Sequence, residues 1–172
     1  MPGLGVKAGM GRMINAPFHA LDLCLAVIVL GLAGWMMENA IGTGSPFVGF
    51  GGNAATPWLS VFSLIAGMVT IASVITSLHH VRVWTPASGA AAQAASWIAW
   101  FLLVLPFCLA WKEIQIGGRS ARFRCLEGFV ITLTFTKFFS TLALYVEEAK
   151  ETSTTAGKHE APPTGPGAAP AV

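Results

Sequence analysis

A lysine in the middle of an apolar run has few uses. Lys137 stands at the centre of "GFVITLTFTKFFSTLALYV", Gly128 to Val146, a stretch long enough to cross a bilayer as helix. On insertion scales a lysine at that depth costs roughly 2.5–3.5 kcal/mol, so it faces the interior of a bundle and takes a partner. The partner on offer is Asp22, in the apolar run "FHALDLCLAVIVLGLAGWMM", Phe18 to Met37. If the two runs cross in opposite directions, the residues differ in depth by about 6–8 Å of helix rise, which a lysine side chain spans. Two chemistries follow. The pair is an ion bridge that locks two helices, or it is a buried charge that meets a solute or a proton on its way across.

A second group of cations, Lys112, Arg119, Arg122 and Arg124, gathers in "WKEIQIGGRSARFRCLE" between two apolar runs. Guanidinium groups match carboxylates and phosphates by paired hydrogen bonds. The stretch therefore reads as a headgroup anchor or as a mouth that attracts an anion. A third group, His79, His80 and Arg82, closes another apolar run. Adjacent histidines on a helix point about 100° apart and chelate poorly. His19 falls toward the same membrane side, but no thiolate or further carboxylate joins these histidines, so no metal site is expected. Capping of a helix C-terminus, or docking of an anion by His79, His80 or Arg82, suits them better. No phosphate-binding loop occurs, and no nucleophile has a base near it in sequence. "GFGG" at Gly49 to Gly52 lacks the strand–helix context that gives such a motif meaning. Catalytic residues and cofactors are not expected, and neither is an enzyme.

The elements that hold these groups follow from composition. Hydrophobic residues make up 54% of the 172 and charged residues 10%, with a mean hydropathy of +0.66. A soluble domain usually carries about a quarter charged residues, so this chain could not cover a surface for water. The net charge is +2 and no basic tract is dense enough for nucleic acid. Cys24, Cys108 and Cys125 are odd in number, show no CxxC spacing, and are expected to pack as small apolar groups. Lys7 and Arg12 before an apolar run imitate a secretory signal. "LGLAGWMMENAIG" offers no clean cleavage site, so the run reads as a retained span.

Four spans are expected, at about 18–37, 58–78, 94–111 and 128–146, forming an all-α, four-helix transmembrane bundle over 18–146. Residues 1–17 precede it. The tail from 147 to 172, rich in Pro, Ala, Gly and Thr, is expected to be disordered. Pro57 suits the first turn of the second helix, and Pro106 marks a kink in the third. Trp35, Trp58, Trp84, Trp111 and Tyr145 fall near span ends, where an interfacial aromatic belt belongs. Hydroxyl and small residues recur at helical spacing, as Ser60, Ser63, Gly67, Thr70 and Ser77 in the second span. In the fourth they are Thr132, Thr136 and Ser140, with Thr134 and Thr141 nearby. Close helix packing explains both stripes; lining a polar route is the other reading. The cations divide five to four between the two membrane sides, so the positive-inside rule does not decide orientation. Both termini are placed in the cytoplasm.

From Gly52 to about Tyr145 the chain resembles the AWPM-like family of plant plasma-membrane proteins. The resemblance rests on "GNAAT", "SLIAGMVTIAS", "LHHVRVW", "SWIAW", and above all "KEIQIGG" followed by "ARFRCLEGF". Trp111 stands where many members carry a cysteine before "KEI", so no role can rest on a thiol there. The resemblance implies a multi-pass plasma-membrane protein associated with abscisic-acid responses, cold and dehydration. It also implies a candidate solute, because the family includes a described abscisic-acid influx carrier. It supplies no map of binding residues. The chemistry of the residues nominates Arg119, Arg122 and Arg124 at a mouth, Lys137 with Asp22 inside, and Arg82 on the opposite face. The expected partners are the bilayer, abscisic acid or a related carboxylate, and further copies of the chain, since four helices enclose little volume. The alternative is a structural tetraspan that organises the membrane under stress and carries no substrate.

Overall fold

The computed structural model describes the backbone of residues 3–42, 55–83, 85–116 and 121–159, and side chains from Ala16 to Lys150 within those ranges except that of Pro86. Every element is helical: α1 (Gly3–Gly42), α2 (Thr56–Val83), α3 (Pro86–Ile116) and α4 (Ala121–His159). Each contains a stretch long and apolar enough to cross a membrane, Ala16–Gly42, Thr56–Val83, Ala87–Ile116 and Ala121–Lys150. The four-helix expectation holds.

The helices outrun the expected spans at both ends. α4 continues past Val146 to His159, so the first part of the tail is helical; Glu, Ala and Lys there are good helix formers. Residues 160–172 of the tail lie outside the described residues, as do Gly49 to Gly52 and Trp84. α3 runs through Pro106 without ending. Pro57 falls in the first turn of α2, where its missing N–H is no loss. α3 starts on a capping box: Ser88 N donates to Thr85 Oγ1 (3.3 Å) and Thr85 N donates to Ser88 Oγ (3.2 Å), with Pro86 between them at the first helical position.

Each helix packs antiparallel on its neighbours in sequence, and α4 closes the ring on α1. Short side chains let the pairs approach. Ser60 Oγ donates to the Ala33 carbonyl (2.8 Å), and a Cβ on Gly67 would come within 2.9 Å of Leu30 Cγ, so α1 and α2 meet closely there. α3 and α4 interlock through rings, Trp100 on Phe138 at 5.2 Å and Phe107 on Phe135 at 6.0 Å.

The distribution of side chains is that of a protein in lipid. The buried positions hold Ala26, Ala33, Ala66, Ala99, Ala110 and a series of serines and threonines, while Ile65, Ile75, Phe101, Phe135 and Phe139 face outward. In water this arrangement would expose a continuous apolar band; in a bilayer the band meets acyl chains and the interior selects small residues. Trp35, Trp58, Trp111 and Tyr145 are on the outer surface near helix ends, as a belt requires. Cys24, Cys108 and Cys125 are exposed on the outside as well. They face outward as small, weakly polar groups, and a thiol loses little against lipid.

Candidate functional site

The largest side chain withdrawn entirely from the surface is that of Lys137. Its Nζ lies 3.9 Å from Asp22 Oδ2, and both side chains are 0% exposed. Ser140, one turn along α4, donates its hydroxyl to the same Oδ2 at 2.7 Å and to the Lys137 carbonyl at 3.0 Å. α1 and α4 are thus joined by an ion pair and a charge-assisted hydrogen bond. At 3.9 Å the ammonium and carboxylate attract but do not hydrogen-bond. Lys137 Nζ and Asp22 Oδ1 have no hydrogen-bond partner among the described residues.

His19 precedes Asp22 by three residues and so shares its face of α1. It is 2% exposed, and neither ring nitrogen finds a partner among the described residues. The interhelical contacts fix which residues of α2 and α3 share this level. The pairs Ala33–Ser60 and Leu30–Gly67 set α1 against α2, Leu103–Thr134 and Trp100–Phe138 set α3 against α4, and Thr56–Glu113 sets α2 against α3. Counting along these registers puts Ser73 and Ser96 within about one turn, 5.4 Å, of Asp22 and His19. Ser73 satisfies itself on the Thr70 carbonyl (2.7 Å). Ser96, 1% exposed, does not, and neither amide atom of Gln93 one turn further has a partner. A polar layer therefore crosses the half of the bundle nearer the termini, with hydrogen-bonding capacity that the described residues leave unused.

Other sequence-nominated residues fall elsewhere. Arg122 is exposed and lays its guanidinium over the Trp35 ring, 4.6 Å from the centroid. Arg124 is also exposed in the first turn of α4, and Arg119 lies outside the described residues with Gly117 and Gly118. Arg122 precedes Lys137 by fifteen residues on one helix, about 22 Å of rise, so the arginines and the ion pair belong to opposite ends. Arg82 is exposed in the last turn of α2, at the end nearer the ion pair. His79 is exposed, whereas His80 is buried and shares a hydrogen bond between Nδ1 and Ser88 Oγ (2.9 Å). Among the described residues no group of three or more His, Cys, Asp or Glu could hold a metal.

Most hydroxyls of the two stripes bond to carbonyls: Ser60 across to α1, Thr70 and Ser77 back to their own helix, and Ser140 reaches the Asp22 carboxylate as well. On α4 the inward hydroxyls are Thr134, Ser140 and Thr141; Thr132 faces out and bonds the Gly128 carbonyl, so its place on the polar face is corrected.

Sequence reasoning missed two buried groups. At the end away from the termini Glu113 is 1% exposed and accepts a 3.0 Å hydrogen bond from Thr56 Oγ1, although its position after Lys112 suggests the interface. Glu127 is buried at the same end. The signal was helical register: Glu127, Val130, Leu133, Lys137 and Ser140 recur at spacings of three and four, so the line through Lys137 leads back to Glu127. At the other end, a Cβ on Gly89 would meet the Glu148 carboxylate, and His80 Cε1 at 3.1 Å, so α4 docks past its apolar run onto the α2–α3 turn.

The comparisons with known proteins agree with a membrane role. The model of the AWPM-19-like family matches residues 20–147. The chain is similar to a protein of Oryza sativa subsp. japonica described as membrane protein PM19L, 43% identical over 139 residues that cover 80% of each chain. No solved structure matches.

Proposed function

The chain belongs to the AWPM-19-like family, and on that premise we propose that it carries abscisic acid, or a similar weak acid, into the cell across the plasma membrane. The supporting observation is the Asp22–Lys137 pair: two ionisable side chains buried in the bundle interior, 3.9 Å apart, each with hydrogen-bonding capacity left over among the described residues. A pair kept only for stability is expected to close to hydrogen-bond distance and to satisfy its remaining atoms, because desolvation otherwise exceeds the Coulombic gain. A loose pair can exchange partners. The carboxylate of the solute takes the place of Asp22 beside Lys137, and the apolar carbocycle rests against the small side chains around it. The arginines at the far end, and Arg82 at the near one, concentrate the anion at the two mouths.

The test is uptake of labelled abscisic acid into proteoliposomes. Saturable uptake that depends on the protein is expected, and Lys137→Ala is expected to abolish it while membrane insertion persists. Absence of uptake by the unmutated protein overturns the proposal.

A second reading has its own support. Ser140 and Lys137 both hold Asp22, and with it they close α4 on α1, which suits a tetraspan that orders lipid and carries nothing. The charge-swapped double variant, Asp22→Lys with Lys137→Asp, separates the two. Folding restored without uptake favours the pathway role; no uptake by any form, with folding lost in the single variants and restored in the double, favours the staple.

A further inference from the structure

We infer that the polar layer binds its anion together with one proton, which Asp22 takes up, so that carriage is electroneutral. The inference rests on the carrier reading above and adds its coupling ion. It follows from charge balance in a low-dielectric interior. The layer holds one ammonium, Lys137, and one carboxylate, Asp22, both 0% exposed, and its net charge is zero. A second carboxylate entering to pair with Lys137 would leave a net charge of −1 with no counter-charge near it, which a low-dielectric interior strongly disfavours. One proton from the water on the side of entry removes that cost. It leaves a hydronium ion or a buffer acid, whose bond to it breaks, and forms an O–H bond on the Asp22 carboxylate as that group releases Lys137; no covalent bond of the entering anion changes.

The surroundings of Asp22 fit this exchange. On α1 the titratable neighbour is His19, one turn nearer the termini, with both nitrogens unpartnered. α4 presents Lys137 and the hydroxyls of Thr136 and Ser140; Ser140 holds Oδ2, and Oδ1 has no hydrogen bond among the described residues. α2 presents Ser73 and Ser77 at this level, with His80 one turn nearer the end and hydrogen-bonded to Ser88, and α3 presents Ser96 and Gln93. Glu147 and Glu148 are at least a turn further out on α4. No second cation is near enough among the described residues to neutralise an extra anion, so the proton is the remaining means.

The experiment is calorimetric titration of the purified protein with abscisate at pH 7.5 in two buffers of different ionisation enthalpy, which counts protons taken up per anion bound. The expected count is about one for the unmutated protein. In Asp22→Asn, whose amide is already neutral, binding is expected to persist with a count near zero. Binding by the unmutated protein with no proton taken up overturns the inference and leaves the carrier reading standing. A count that survives Asp22→Asn but disappears in His19→Leu overturns the assignment to Asp22. Absence of both binding and uptake overturns inference and carrier reading together.

Discussion

The two ends of the bundle interior solve the same problem differently. At the end away from the termini, Glu113 accepts from Thr56, Glu127 is partnered, Ser60 bonds across to Ala33, and Thr134 bonds Val130. Ser63 Oγ alone is left over there among the described side chains, and an unpaired hydroxyl costs far less than an unpaired charge. At the end nearer the termini, His19, Asp22, Gln93, Ser96 and Lys137 all keep unused donors or acceptors. The difference is not in polarity, since both ends bury carboxylates. It is in satisfaction. Completed pairs stabilise a fold, and incomplete ones cost stability that selection tolerates where a ligand completes them.

Substitutions at the two ends should therefore separate stability from transport. The largest effect is expected for Lys137→Ala, which strands Asp22 as an uncompensated buried charge: a loss of about 3–5 kcal/mol in detergent unfolding, together with uptake. Asp22→Asn removes that penalty from the pair, so Lys137→Ala with Asp22→Asn should recover most of the stability and none of the uptake. Glu113→Gln at the other end weakens a charge-assisted hydrogen bond, with an expected cost of about 1–3 kcal/mol and uptake per folded molecule unchanged. If Glu113→Gln instead abolishes uptake in stable protein, the division between the ends fails. Arg122→Ala should cost about 0.5–1 kcal/mol through its contact with Trp35, and should raise the half-saturating anion concentration only at low salt. Gly67→Ala, between the two ends, is the smallest. The displaced Leu30 side chain is offset by a gain in helix propensity of about 1 kcal/mol, and unfolding should be nearly unchanged.

Much of this was legible in the chain. Lys137 and Asp22 announce each other because each is the lone charge of its kind deep in an apolar run, and an isolated charge in lipid requires a partner. The four helices follow from run length alone. What sequence could not give was depth and facing near the helix ends. Glu113 follows Lys112 and looks interfacial, yet the register of α3 turns one inward and the other out. Arg122 was nominated at a mouth, and the structure adds that α4 is one continuous helix from there to Lys137, about 22 Å of rise, with the guanidinium laid over Trp35. His19 was visible but mute, since its weight comes from burial without a partner, which no spacing encodes.

One further consequence lies at Gly89. The sequence reading ends the fourth span at about Val146, and a fusion or truncation would naturally be placed there. The Glu148 carboxylate reaches the backbone of α3 because residue 89 has no side chain to stop it. The folded unit therefore ends later than the apolar one. A reporter joined directly after Val146 removes a docking contact at the mouth above the polar layer, whereas one joined beyond Lys150 keeps it.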